Sequence, residues 1–92
     1  MQKQSDLAGF LKDKRIKSGL SQKEVADKLG YTTPQFVSNW ERGMSAPPIE
    51  VLKKLSDLYD VPSEEMFSAI LQTVVSKVET KMKRKFYGRR SV

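Results

Sequence analysis

The sequence predicts an all-α fold, a compact bundle of five helices with an extended C-terminal helix, on three observations. Apolar residues recur at helical intervals along almost the whole chain. No segment sustains the strict alternation of a half-buried strand, and no NG or DG turn marks a hairpin. Helix-start and helix-stop residues punctuate the chain between the apolar stripes. A length of 92 residues suits one small domain with a modest core.

Ser5 can cap the first helix, with Asp6 in its first turn, where the helix dipole favours an acid. Leu7, Phe10 and Leu11 form its inward stripe. It ends near Ser18, and Gly19 supplies the left-handed stop. Ser21 caps the second helix, and "SQKE" is a capping box in which Ser21 and Glu24 bond reciprocally. Val25, Ala26 and Leu29 are its buried face, and Gly30 ends it. At about two turns this helix cannot stand without neighbours.

The third helix starts at Thr32 or Thr33, with Pro34 near its first position, where a missing N–H costs nothing. Val37 and Trp40 face inward and Gly43 stops it. Trp40 reads as a core anchor, whereas Phe36 reads either as core margin or as a contact to a thymine methyl or sugar. The loop "MSAPP" leads into a fourth helix with Ile49, Leu52, Leu55 and Leu58 on one apolar face. Ser63 is expected to cap the fifth, with Glu64 and Glu65 in its first turn. That helix runs towards Phe86. Its apolar face is broad at first and then narrows to Leu71, Val75, Val78 and Met82, the spacing of a short helix–helix seam. The same stripe could instead fold back on its own domain.

Composition removes whole classes of chemistry. With no cysteine there is no disulfide, thiol nucleophile or thiolate metal site, and with no histidine the commonest general base and metal ligand are missing. No nucleophile–base constellation or phosphate-cradling glycine loop stands out. We therefore expect no enzyme, no cofactor and no metal. The opening "MQKQSDLAGF" lacks a signal-peptide core and no apolar run would span a bilayer, so a soluble, cytoplasmic chain without a membrane partner is expected.

Net charge is +6, and all of the excess lies at one end. Met1 to Ser76 holds ten Lys/Arg against ten Asp/Glu, whereas Lys77 to Val92 holds seven against one. A basic end either meets a polyanion or is simply a solvated tail.

Two short helices joined by a tight turn at Gly30, the second opening on hydroxyls, form a helix-turn-helix arrangement. The second helix of such a pair can enter the DNA major groove. Side-chain amides match base edges there in two-point fashion, and Gln35 and Asn39 are amides four residues apart on one face. A helical turn of about 5.4 Å against a base-pair rise of about 3.4 Å lets the two sample neighbouring base pairs. Ser38 either permits close approach to DNA or fits the packing seam. Tyr31 is either a lid on the core or a phosphate donor. Lys23, at a helix N-terminus that favours anions, is a candidate phosphate contact.

"RIKSGLSQKEVADKLG", followed by "FVSNWERG" and a proline, resembles the Cro/lambda-repressor type of helix-turn-helix domain over roughly Leu7 to Phe67. The turn "GYTTPQ" departs from the pattern by one added residue. The resemblance implies a lambda-repressor-like five-helix fold, sequence-specific binding of double-stranded DNA, and homodimers on two-fold related half-sites. It implies base contacts from Thr33, Gln35, Ser38 and Asn39, with Pro34 at the same opening turn. It implies backbone contacts from Gln22, Arg42 and Ser45 beside Met44, to which the turn residues Tyr31 and Thr32 and the neighbouring Lys23 are added. It points to Arg15 and Glu41 as a structural ion pair. The expected organisation is a DNA-binding domain over residues 1–67 and a C-terminal helix with basic tail over 68–92. That second part would provide a dimer seam at Leu71, Val75, Val78 and Met82, or accessory DNA contact. The expected role is a transcriptional regulator, a repressor acting as a homodimer on operator DNA. The alternative is an antitoxin-type module that neutralises a partner toxin, a protein partner, and autoregulates its operon.

Overall fold

The structure, a computed structural model, describes residues 6–88. It contains five helices and, among the described residues, no strand: α1 (Leu7–Lys17), α2 (Gln22–Leu29), α3 (Gln35–Glu41), α4 (Ile49–Leu58) and α5 (Ser63–Tyr87). None of them is long and apolar enough to cross a membrane.

Local chemistry sets most of the boundaries. Asp6 caps α1 by accepting from the Gly9 amide at 3.1 Å, so the acid expected in the first turn is the cap itself. Ser5, expected in that role, lies outside the described residues. The Ser21–Glu24 capping box opens α2, with both reciprocal bonds formed. Gly30 closes it at φ 88°, a left-handed conformation open to glycine at little cost. The Tyr31 amide then turns back to the Ala26 carbonyl at 2.9 Å.

Two helix starts differ from expectation. Regular α3 begins at Gln35 rather than at Thr32 or Thr33, with Pro34 at the cap. Thr33 still closes the turn, because its Oγ1 accepts from the Gln35 amide at 3.2 Å. Ser63 is not the cap of α5: Pro62 holds that place with no side-chain cap bond, and Ser63 is the first helical residue. The extended backbone of Pro62 breaks from α4 without needing a hydroxyl.

The helices pack around one core. Its buried members are Leu7 and Leu11 of α1, Val25 and Ala26 of α2, Val37 and Trp40 of α3, Leu52 and Leu55 of α4, and Met66 and Ala69 of α5. Tyr59 and Val61, between α4 and α5, complete it. Asp60 between them adopts φ 54°, the left-handed stop that glycine provides elsewhere. Ile49 is not part of the buried face, being 59% exposed: it sits on the first turn of α4, short of the helices that cover Leu52 and Leu55.

The last helix does two things. Its first three turns lie on the body, where Thr73 Oγ1 accepts from the Leu7 amide at 2.8 Å and Glu65 pairs with Lys14 at 3.3 Å. It then runs on unbroken, and every described residue from Val74 to Gly88 is exposed.

Candidate nucleic-acid interface

A short helix keeps its orientation only if its two ends are held. At its start, the Tyr31 ring packs on the Phe36 ring at 4.9 Å and edge-on to the buried Trp40 at 5.8 Å. Tyr31 is half-buried, so its ring closes the core beneath α3, while Phe36 remains 51% exposed.

At its end, Glu41 is held from two helices. Arg15 Nε donates to Glu41 Oε2 at 2.6 Å and Nη2 donates to Oε1 at 3.0 Å, a two-point pair. Gln22 Nε2 donates to the same Oε1 at 3.0 Å. Arg15 Nη1 donates to the Leu20 carbonyl at 2.9 Å, which ties in the loop between α1 and α2. The hydrogen bond to Glu41 raises the Arg15 pKa further above its ordinary value, against the opposing effect of burial. Beside this group, burial pushes the Tyr59 hydroxyl well above the usual phenol range, and the Glu41 charge adds to the shift.

Between these two anchors α3 presents a polar face. Gln35 Nε2 donates to Asn39 Oδ1 at 3.0 Å, and Arg42 Nη2 donates to the same oxygen at 2.9 Å. The two amides and the guanidinium thus form one chain of hydrogen bonds over two turns. It leaves the Gln35 oxygen as an acceptor and the Asn39 amino group as a donor, the pair of functions that a base edge such as adenine's complements. Helical spacing puts Gln35, Ser38, Asn39 and Arg42 on one side, and the structure joins the two amides and the guanidinium through the Asn39 oxygen.

The remaining candidates lie around this face. Thr32, Thr33, Arg42, Met44 and Ser45 are exposed, whereas Ser38 and Asn39 are half-buried. Gln22 spends one N–H on Glu41 and keeps a second. Lys23 is engaged at 3.3 Å with Asp27, an exposed pair one turn apart that holds the charge only loosely. Leu71, Val75, Val78 and Met82 lie far along α5, all about half exposed or more.

Comparison with known proteins bears on the family rather than on the site. The family model described as Helix-turn-helix matches residues 11–66. The chain is 29% identical over 73 residues, 79% of its length, to the cryptic phage CTXphi transcriptional repressor RstR of Vibrio cholerae. It is 43% identical over 54 residues, 59% of its length, to the HTH-type transcriptional regulator ImmR of Bacillus subtilis (strain 168). The matches span 65% of the first relative and 42% of the second, so the chain corresponds to part of each. No solved structure matches it significantly.

Proposed function

The chain belongs to the Cro/lambda-repressor type of helix-turn-helix family, and from that premise we propose that it is a sequence-specific DNA-binding transcriptional regulator, a repressor acting as a homodimer on operator DNA. The observation that carries the reading is the Gln35–Asn39–Arg42 network on a helix clamped at both ends. A reading helix must offer fixed donors and acceptors, because each misplaced two-point contact forfeits about 1–3 kcal/mol of discrimination. The regulator names borne by both relatives support the same role.

In this reading Thr33, Gln35, Ser38 and Asn39 meet base edges, with adenine at one or both amide positions. Gln22, Lys23, Tyr31, Thr32, Arg42 and Ser45 meet the backbone and set register. Leu71, Val75, Val78 and Met82 join two copies, and the basic end from Lys81 onward reaches flanking phosphates. The mechanism is binding alone, without catalysis or a cofactor, in the cytoplasm. Arg89 and Arg90 of the basic end lie outside the described residues.

Selection of bound sequences from a random DNA pool tests the proposal. Enrichment of a two-fold related motif, with half-sites about 34–36 Å apart or a multiple of that, is the expected result. A pool that stays random after repeated rounds refutes it. The exposed stripe of α5 also suits the antitoxin reading, in which it covers a partner toxin. A small toxin gene beside this one, and a stable complex of the two products, would favour that alternative.

A further inference from the structure

The exposed face of α5 carries an apolar line with a symmetry of its own. Phe67, Leu71, Val75, Val78, Met82 and Phe86 follow one another at intervals of four, four, three, four and four residues, which read the same in both directions. At 3.6 residues per turn the six fall within a sector of about 100°. Met66, Ala69 and Thr73, which pack on the body, lie on the other side of the helix. The six are between 49% and 82% exposed, so the line is no part of the chain's own core.

With Ile49 and Val74 beside them, such half-exposed side chains leave on the order of 700–900 Å² of apolar surface, taking about 150–200 Å² for each whole side chain. Monomers rarely leave more than about 300–600 Å² in one patch. A standard interface takes about 800 Å² from each partner.

Resting on the homodimer reading above, we propose that this face is covered by α5 of a second copy running antiparallel. Val75 then meets Val78 of the second copy, Leu71 meets Met82, and Phe67 meets Phe86, about a two-fold axis between Ser76 and Lys77. Charge selects the direction. A parallel pair would set Lys81, Lys83, Arg84 and Lys85 of both copies side by side. The antiparallel pair instead brings the acidic first turn, Glu64 and Glu65, towards the basic last turn of the other helix. It also opposes the two helix dipoles.

The groove between α4 and α5 fits the same register. It encloses about 420 Å³ and is lined by Ile49, Leu52, Met66, Phe67 and Ile70 among others. It opens beside Phe67, where the second copy's Phe86 arrives, and Phe86 is 82% exposed in the single chain. At about 1.5 Å per residue the two Met66 residues stand about 30 Å apart along the seam, close to one turn of DNA.

The chain has no cysteine, so introduced thiols report without background. Leu71→Cys and Met82→Cys proteins, one carrying a size tag, are mixed and oxidised. Only side chains that face each other reach the Cβ separation of about 3.5–4.5 Å that a disulfide needs. The mixed 71–82 product is expected to exceed either same-residue product about tenfold. Predominant 71–71 or 82–82 products overturn the proposal, as does wild-type protein that sediments as a monomer at micromolar concentration. Spin labels on Ser68→Cys and, separately, Lys85→Cys protein avoid disturbing the seam. Each should show a separation of at least about 25 Å within the dimer, and a much shorter one refutes the direction. DNA selection with wild-type protein keeps the two readings apart. An enriched motif without the 71–82 link leaves DNA recognition standing and removes the register. The link without any enriched motif does the reverse.

Discussion

Replacing Arg15 by alanine isolates what holds the candidate reading helix. The Glu41 side chain is 3% exposed and that of Arg15 11%, so the pair lies out of water. Arg15→Ala removes both bonds to the carboxylate and the one to the Leu20 carbonyl, leaving Glu41 with the Gln22 amide. A buried charge stranded in this way costs about 3–5 kcal/mol. A chain of this size has about 5–14 kcal/mol in total, at about 0.05–0.15 kcal/mol per residue. The melting temperature should therefore fall by about 12–40 °C, at roughly 4–8 °C per kcal/mol. Thermal melts followed by circular dichroism, with urea titrations, measure the effect. The double variant Arg15→Met with Glu41→Leu should recover at least half of the loss, because it leaves no charge unpaired. Two results would refute the reasoning: an Arg15→Ala protein within about 1 kcal/mol of wild type, the range of an exposed pair, or a double variant no more stable than the sum of its single changes implies.

Gln35→Ala and Asn39→Ala should each narrow the gap between specific and scrambled DNA by about 1–3 kcal/mol with the fold intact. Because the two amides bond each other, the double variant should lose less than the two singles together. Competition binding measures all three, and unchanged discrimination removes them as readers. Trp40→Ala should largely unfold the domain, at about 3–5 kcal/mol for truncating a buried aromatic. A melt superimposable on wild type would contradict that. Changing Lys81, Lys83 and Lys85 to glutamine keeps Met82 and Phe86 in place. If each lysine neutralises a phosphate, the slope of log affinity against log salt should flatten by about 2.7, with sequence preference preserved. An unaltered slope would mean that these lysines do not touch DNA.

Local signals in the sequence translated well into structure. The Ser21–Glu24 box and the glycine stops at Gly19, Gly30 and Gly43 depend only on neighbours a few residues away, and such patterns are readable without tertiary knowledge. The ends of faces were less readable. Threefold spacing includes Ile49 with Leu52 and Leu55, but spacing says nothing about where the covering helices stop. Tyr59 and Val61 are buried beyond the end of α4, outside any periodic stripe. In the candidate site, four-residue spacing brought Gln35 and Asn39 together. Arg42 shares that side at i,i+3 from Asn39, and the family resemblance marks Gln22 as a brace for this helix, but which oxygen each one meets is a matter of rotamer and packing.

The bond from the Leu7 amide to Thr73 Oγ1 spans 66 positions, and it has a consequence for synthesis. A ribosome adding about 5–20 residues per second makes Leu7 about 3–13 s before Thr73. Through most of that interval the first helix has neither this acceptor nor the Met66 and Ala69 side chains that close over the core. The segment that seals the body is therefore made last, and it continues directly into the segment proposed to join two copies. A chain cut short before Met66 would lack both side chains and this acceptor, and is expected to melt well below the full chain.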